Sequence, residues 1–481
     1  CDVVLAVVCA FDGFLSLGLD WNSWNSLQNT FRSNIDSSTS RGIFASIMSQ
    51  FSMSLRDAHT WAWDTGVIYT PLNPGVPILV LYPFATAEQF GAVLTSLPDS
   101  TALVLRTIPN HPLGLQPGDI VLGYEGMPWK NLITELLEAH LPVFTTGVGS
   151  VSAEMNSFIR NVGNNWHLFE TIDILKHSTG EIVHLSVQPL LNLPSDPIMG
   201  NEQLEIPGIP FSFYRGWPWQ PTGELLAYGM LPTTSVGYIR LFGEWPSNAA
   251  DPLFAEAIDS LWDTEGIIID LRWNSGGWSL FDEAFEKMFS QNILTVEDAY
   301  RTSPADFTLD PAGNSDWFLI PGIAGSIFDK PLAILLGPTC VSMGDITAQR
   351  LRYHPMVRFF GKPSIASLGD NTDVSGYPNW WLRHSLSDMF HNSQPEDYLN
   401  RKEFPVDEQV WFNPDDVASG IDPILTNALN WISTLSYAYN VVLDEDSIGN
   451  LADSILISAN VKNPENHNLI VSALITNEQG T

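Results

Sequence analysis

Three short segments, far apart in a chain of 481 residues, hold the residue types that acyl-transfer chemistry needs. In Pro331-Leu332-Ala333-Ile334-Leu335-Leu336-Gly337-Pro338-Thr339-Cys340-Val341-Ser342-Met343-Gly344-Asp345-Ile346, an apolar run suited to a buried strand ends in a turn, and a serine then opens a helix-like stretch. A serine so placed has its hydroxyl at the positive end of a helix, and the N–H of Met343 is left without an intrahelical acceptor. Helix physics alone would also place a serine there, because Ser342 with Asp345 reads as a capping box. In Gly266-Ile267-Ile268-Ile269-Asp270-Leu271-Arg272-Trp273-Asn274-Ser275-Gly276-Gly277, a second buried strand ends in paired glycines. Such glycines let backbone N–H groups approach a developing oxyanion, although a plain glycine turn would look the same. The third segment, Leu55-Arg56-Asp57-Ala58-His59-Thr60, closes a helical run with a histidine, the side chain whose ordinary pKa suits proton transfer near neutrality.

The elements that must carry these residues are legible as periodicities. Ile43, Ile47, Phe51 and Leu55 recur at helical spacing and predict a helical cap over residues 1–66. A β-rich unit follows over 67–190, and a Pro-, Gly- and Trp-rich linker or loop over 191–221. Strand-like Val236 to Phe242, helix-like Pro252 to Trp262, strand-like Gly266 to Leu271, helix-like Ser279 to Phe289 and strand-like Pro331 to Leu336 then alternate. That order predicts an α/β core over 222–435 with a sheet covered on both faces. A hinge and an incomplete β module occupy 436–481, where Ser454 to Ile475 alternates as though opening a β-sandwich.

Composition narrows the function classes. Acidic residues number 54 against 21 basic ones, a formal net charge of −33, which repels phosphate backbones and argues against a nucleic-acid partner. No apolar stretch is long enough to span a bilayer. The short apolar run Val3 to Ala10 is followed by Asp12 and Asp20 and reads as a buried helix. Cys1, Cys9 and Cys340 lack metal-ligand spacing, so no metal or cofactor is expected, and only Cys1 and Cys9 are near enough in sequence to suggest a bridge. The apolar residues after Cys1 are untypical of a lipoprotein tether.

Two resemblances give these segments a meaning. The run Ile108-Pro109-Asn110-His111-Pro112-Leu113-Gly114-Leu115-Gln116-Pro117-Gly118-Asp119-Ile120-Val121-Leu122, with Gly126 beyond it, resembles a PDZ domain; Gly118 and Gly126 suit its turns, and Ile120 and Leu122 one face of its strand. The three chemical segments, in their order, are similar to the tricorn-like and tail-specific serine peptidases. Segments around Glu403-Phe404-Pro405 and Gly420-Ile421-Asp422-Pro423-Ile424-Leu425 resemble that family's closing element, so the likeness runs from about Leu17 to Ile432. It implies a core like the ClpP and crotonase superfamily, with Ser342 as nucleophile and Met343 with Gly276 or Gly277 as oxyanion donors.

One departure bears on mechanism. Tail-specific members place a lysine base within Gly-Glu-x-Thr-x-Gly-Lys, and the corresponding position here is Ser367, with Lys362 five positions early. The Ser-His-acid arrangement of the tricorn-like branch therefore fits better, with His59 as base; its acid falls near Asn400, and Glu403 is the nearest carboxylate, ahead of Glu396 and Asp397. The expectation is an extracytoplasmic bacterial serine endopeptidase acting through an acyl-enzyme on unfolded or C-terminal polypeptide segments. A different class, a non-catalytic binder of peptides or apolar ligands on the same fold, is favoured by the lost lysine and by 17 tryptophans that could line a site. The sequence leaves the oligomeric state open.

Overall fold

The computed structural model describes residues 20–68, 90–141, 147–193, 204–209, 213–215, 220–222, 225–244, 247–300, 315–325, 327–391, 398–443 and 457–464. The expected apolar segment at 3–10, the Cys1–Cys9 bridge and most of the β-rich run at 67–84 lie outside them.

Helix Trp21–Arg32 starts at Asp20, whose carboxylate accepts the Ser23 N–H while the Ser23 hydroxyl reaches back, a reciprocal cap. Helix Arg41–Ser54 is capped by Ser40. Ile47, Phe51 and Leu55 are buried as their spacing requires, but Ile43, in the first turn, is 39% exposed. Phe51, Leu55, Trp24 and Met48 pack on Ala62 and Leu382. Arg56 then takes a positive φ of 50° and turns the chain. Strand Trp61–Asp64 follows and pairs antiparallel with Trp380–Ser385. The cap is thus stitched to a region more than 300 residues away in sequence, which no local pattern announces.

Residues 92–186 form an antiparallel sheet in the order Ala92–Ser96, Ala102–Thr107, Ile120–Tyr124, Thr171–Leu175, Ile182–Ser186. Gly118 and Gly126 take positive φ of 94° and 79°, as their turns demand. One face, with Leu94, Val104, Val121, Ile172 and Ile174, packs with Trp129, Leu132 and Ile159 of two helices. The other, with Val93, Leu103 and Leu105, is buried against Tyr238, Ile268, Leu335 and Phe360 of the central sheet. Ile120 packs on this second face; it and Leu122 are only partly buried, whereas Val121, Gly123 and Tyr124 are the buried positions of that strand.

The central sheet has the order Leu226–Met230, Gly237–Leu241, Ile267–Asp270, Leu332–Leu336, Val357–Gly361, Glu408–Gln409. The first pair is antiparallel and the rest are parallel. Ile267–Asp270 and Leu332–Leu336 are buried throughout, which is why they read as unbroken apolar runs. Helix Ser247–Ser260 contributes Phe254, Ala257 and Ile258 to the core on one face, and helix Pro423–Thr434 contributes Ile424, Ala428 and Ile432 on the other. The expected helix Ser279 to Phe289 is only Asp282–Glu286, because Phe281 has a left-handed backbone at φ 54° and breaks it from its start. A further sheet, Ser315–Ile320, Ile293–Tyr300 and Ser387–His391, was not foreseen. Within 191–221, Phe213–Arg215 begins a short hairpin with Gln220–Thr222. In the last segment Tyr437–Leu443 pairs with Ile457–Lys462, and the remainder of the expected β module lies outside the described residues.

Candidate active site

Strand Leu332–Leu336 delivers the chain to a turn fixed on its neighbour: Thr339 Oγ1 donates to Arg272 O at 2.5 Å, and the Val341 N–H donates to Asn274 O at 3.0 Å. Ser342 follows at φ 60°, ψ −124°, immediately before helix Met343–Leu351. A non-glycine residue held there carries strain of about 1–3 kcal/mol and persists only where its surroundings enforce it. They do: the Ser342 N–H donates to Ser367 O at 3.1 Å, the Gly344 N–H to Val341 O at 3.0 Å, and the Ile346 N–H to Ser342 O at 3.1 Å. The Ser342 side chain makes no capping bond to its own helix, so the capping-box reading of Ser342 and Asp345 does not hold. Burial pushes the Asp345 carboxyl up to about 7 against the pull of Ser364 and of the backbone at Ser367, Ala366 and Ser342.

The glycine loop lies against this turn. A Cβ on Gly276, which has φ +74°, would stand 2.8 Å from Ser342 Cβ and 3.2 Å from Met343 N; one on Gly277, at φ +151°, would stand 2.4 Å from the Glu244 carbonyl carbon. Each glycine is therefore required by a close approach. Their N–H groups differ, because that of Gly276 donates to Asn274 Oδ1 at 2.8 Å. Among the described residues neither the Gly277 nor the Met343 N–H has such a partner, and Met343 is the first residue of its helix. The Asp270-Leu271-Arg272 motif is structural: buried Arg272 bonds Asp270 at 2.7 Å and Asp422 at 2.8 Å, and the Tyr238 hydroxyl donates to Asp270 at 2.7 Å.

His59 is buried in the turn after Arg56. Its Nδ1 has no hydrogen-bond partner and stands 3.9 Å from Asp57 Oδ1. Asp57 is itself fixed: it accepts the His59 backbone N–H at 3.1 Å, the Thr60 hydroxyl at 2.6 Å and the Ser385 hydroxyl. Burial alone would raise the Asp57 carboxyl, but His59, Arg401, Ser385 and Thr60 hold it below the ordinary value. Burial lowers the His59 pKa; Asp57 opposes this, Arg383 adds to it and Asp370 opposes it. The ring is accordingly neutral near pH 7, the state a general base needs.

Ser367 joins the two segments. Its hydroxyl accepts the Ala58 N–H at 2.9 Å, while its carbonyl accepts the Ser342 N–H. Ala58 and Val341, the neighbours of His59 and Ser342, also share a cluster with Val148, Ala153 and Ile365. The position expected to carry a lysine thus serves as a clasp between the histidine loop and the serine turn. Lys362 is engaged elsewhere, with its ammonium donating to Ser96 O at 3.1 Å and Ser96 Oγ at 3.3 Å. Glu403 accepts the Ser150 hydroxyl at 2.9 Å and the Ser152 N–H and hydroxyl at 3.0 and 2.6 Å, so it caps helix Val151–Arg160. It also lines a cavity of about 460 Å³ with Asp345 and Ser364. Asn400 donates to Leu368 O and Asp388 Oδ1, each at 3.2 Å. Sequence reasoning quoted Asp57 and Asn274 only as motif neighbours, and it missed Ser367 as a clasp and Glu244 entirely; Glu244 follows its strand with no motif around it.

A strained serine stands at a helix start with a double-glycine loop against it and a histidine loop clasped to its backbone, and residues 235–402 match peptidase family S41. The centre of the chain is thus similar to that peptidase family over these residues. Among solved structures, mature CPAF aligns over 88% of this chain and 93% of its own length at 14% identity, with a TM-score of 0.56. CPAF complexed with lactacystin aligns over 88% and 94% at 12% identity, with a TM-score of 0.58. A putative peptidase from Parabacteroides merdae aligns at 18% identity with a TM-score of 0.38, over 43% of this chain and 64% of its own length, so the chain spans under two thirds of that relative. No curated protein sequence matches the chain.

Proposed function

We propose that the chain is a serine endopeptidase that works through an acyl-enzyme. Ser342 Oγ attacks the peptide carbonyl carbon as His59 Nε2 takes its proton; the C–N bond breaks and the proton passes to the leaving amine. Water then attacks the ester carbonyl, giving its proton to His59, and the ester C–O bond breaks as His59 returns that proton to Ser342 Oγ. The carbonyl oxygen faces the N–H groups of Met343 and Gly277; Gly276 supports the loop, since its own N–H is held by Asn274. For the third member the reading moves from Glu403 to Asp57. Glu403 is occupied at a helix start, while Asp57 faces His59 Nδ1 at 3.9 Å, a separation that a small side-chain movement closes on substrate binding.

The observation that carries this reading is the enforced positive φ of Ser342 with Gly276 packed on its Cβ. The antiparallel unit of residues 92–186 reads as a PDZ-like module that takes an extended peptide, with Ile182–Ser186 as an exposed edge for strand addition. The acidic composition supports an extracytoplasmic setting. Incubating the protein with unfolded polypeptides beside Ser342→Ala tests the reading: cleavage by the native chain that Ser342→Ala lacks supports it, and equal cleavage, or none by either, sinks it.

A further inference from the structure

Glu244 is a buried acid outside the serine and histidine segments. It follows strand Gly237–Leu241, is 0% exposed, and lies beneath the double-glycine loop. Its backbone splints that loop on both sides: the Glu244 N–H donates to Gly276 O at 2.9 Å, and the N–H groups of Trp278 and Ser279 donate to Glu244 O at 3.0 and 3.1 Å. Its side chain splints the loop again through Asn274, whose Nδ2 donates to Glu244 Oε1 at 3.0 Å and whose Oδ1 accepts the Gly276 N–H at 2.8 Å. Asn274 also meets the nucleophile turn, because its carbonyl accepts the Val341 N–H and a Cβ on Gly344 would stand 2.6 Å from its Oδ1. The other carboxyl oxygen of Glu244 takes the Thr347 hydroxyl, on the helix that Ser342 opens, at 3.2 Å. One buried carboxyl therefore ties the strand before the loop, the loop, and the nucleophile helix together.

We propose that Glu244 is a positioning residue for the oxyanion loop, holding it to the nucleophile helix through Asn274 and Thr347. This rests on the assignment of Ser342 as nucleophile. Burial pushes its pKa up to about 8, although Thr347, Asn274 and the charge of Arg350 all pull it down. Cys340, the other titratable group facing it, is kept a neutral thiol by burial. One carboxyl oxygen accepts from Asn274 and the other shares a hydrogen bond with the Thr347 hydroxyl, so both contacts are made at once. Deprotonation leaves a buried anion whose partners are two neutral donors and the charge of Arg350.

The sign of the pH effect follows. The folded state keeps this proton between the ordinary carboxyl value of 4.5 and about 8, where the unfolded chain has lost it, so folding stability from this group falls as pH rises through that window. Glu244→Gln, which supplies the same acceptor and a fixed donor, abolishes that decline.

The experiment compares native, Glu244→Gln and Glu244→Ala proteins by peptide turnover, by Ser342 labelling with a fluorophosphonate, and by thermal midpoint from pH 5 to 9. At pH 6.5 Glu244→Gln should keep kcat within about 3-fold of native and lose the alkaline fall in midpoint. Glu244→Ala should lower kcat about 100-fold with KM little changed, the size expected when an oxyanion donor is displaced. If Glu244→Gln is as impaired as Glu244→Ala, or Glu244→Ala labels and turns over like native, the proposal is overturned while the nucleophile assignment stands. A native protein that neither labels at Ser342 nor cleaves overturns the assignment and this proposal with it.

Discussion

Ser342 and the Gly276-Gly277 loop leave the ends of two adjacent parallel strands, Leu332–Leu336 and Ile267–Asp270, whereas His59 arrives on a loop from the far N-terminal side of the chain. The first region is held by backbone: strand register, carbonyls accepting Val341 and Ser342 N–H groups, and glycines where a Cβ would collide. The second is held largely by side chains, with Ser367 clasping Ala58 and Thr60 and Ser385 pinning Asp57. Backbone-held geometry tolerates most substitutions and fails abruptly at a few positions. Side-chain-held geometry fails by degrees, so mutations in the two regions should differ in character as well as size.

The largest loss is expected at the nucleophile. Ser342→Ala should reduce turnover by about 10⁴ to 10⁶ with the fold intact, since the side chain makes no capping bond whose loss would cost stability. A residual turnover above a hundredth of native would break the assignment. In the same region Gly277→Ala must displace the Glu244 backbone, and turnover should fall by about 10² to 10³ with the loss of one oxyanion donor. Near-native kcat in that variant would show that the loop does not face the oxyanion.

These outcomes bear on what the sequence could reveal. The meeting of Ser342 and Met343 with the Gly276-Gly277 loop was legible because buried parallel strands print unbroken apolar runs, and because glycines at a strand end have few other reasons to be paired. The carboxylate that lies beside His59 was not legible. Glu403 was the nearest carboxylate along the chain, but side-chain direction decides, and Glu403 turns to Ser150 and Ser152 while Asp57, two residues before His59, turns to the imidazole. The sheet joining Trp61–Asp64 to Trp380–Ser385 depends on a pairing across most of the chain, and neither strand alternates, since Trp61 to Asp64 are all buried. The helix foreseen at Ser279 to Phe289 failed at Phe281, where tertiary packing imposes a left-handed backbone on a residue with no local preference for it.

In the side-chain-held region the effects should be smaller and graded. Ser367→Ala removes the clasp on Ala58 but keeps the carbonyl that holds Ser342, so turnover should fall about 10-fold, the penalty for a base displaced from its productive position. Loss equal to that of Ser342→Ala would mean that the hydroxyl takes part in the reaction itself. Lys362→Ala should have the smallest effect on catalysis, leaving kcat near native while lowering stability by about 1 kcal/mol through its bonds to Ser96. A dead Lys362→Ala would restore a Ser-Lys dyad and remove His59 from the mechanism.

The central claim is that His59, neutral because it is buried, activates Ser342. Its most direct test is the rate of fluorophosphonate labelling at Ser342, followed by peptide mapping across pH 4 to 9 for the native protein and His59→Ala. The native rate should rise with pH through a single group titrating below the ordinary histidine value of 6.5, the direction burial imposes, and His59→Ala should label at least about 10³-fold more slowly with that titration gone. Labelling of His59→Ala at the native rate, or a label mapped to a residue other than Ser342, would contradict the account.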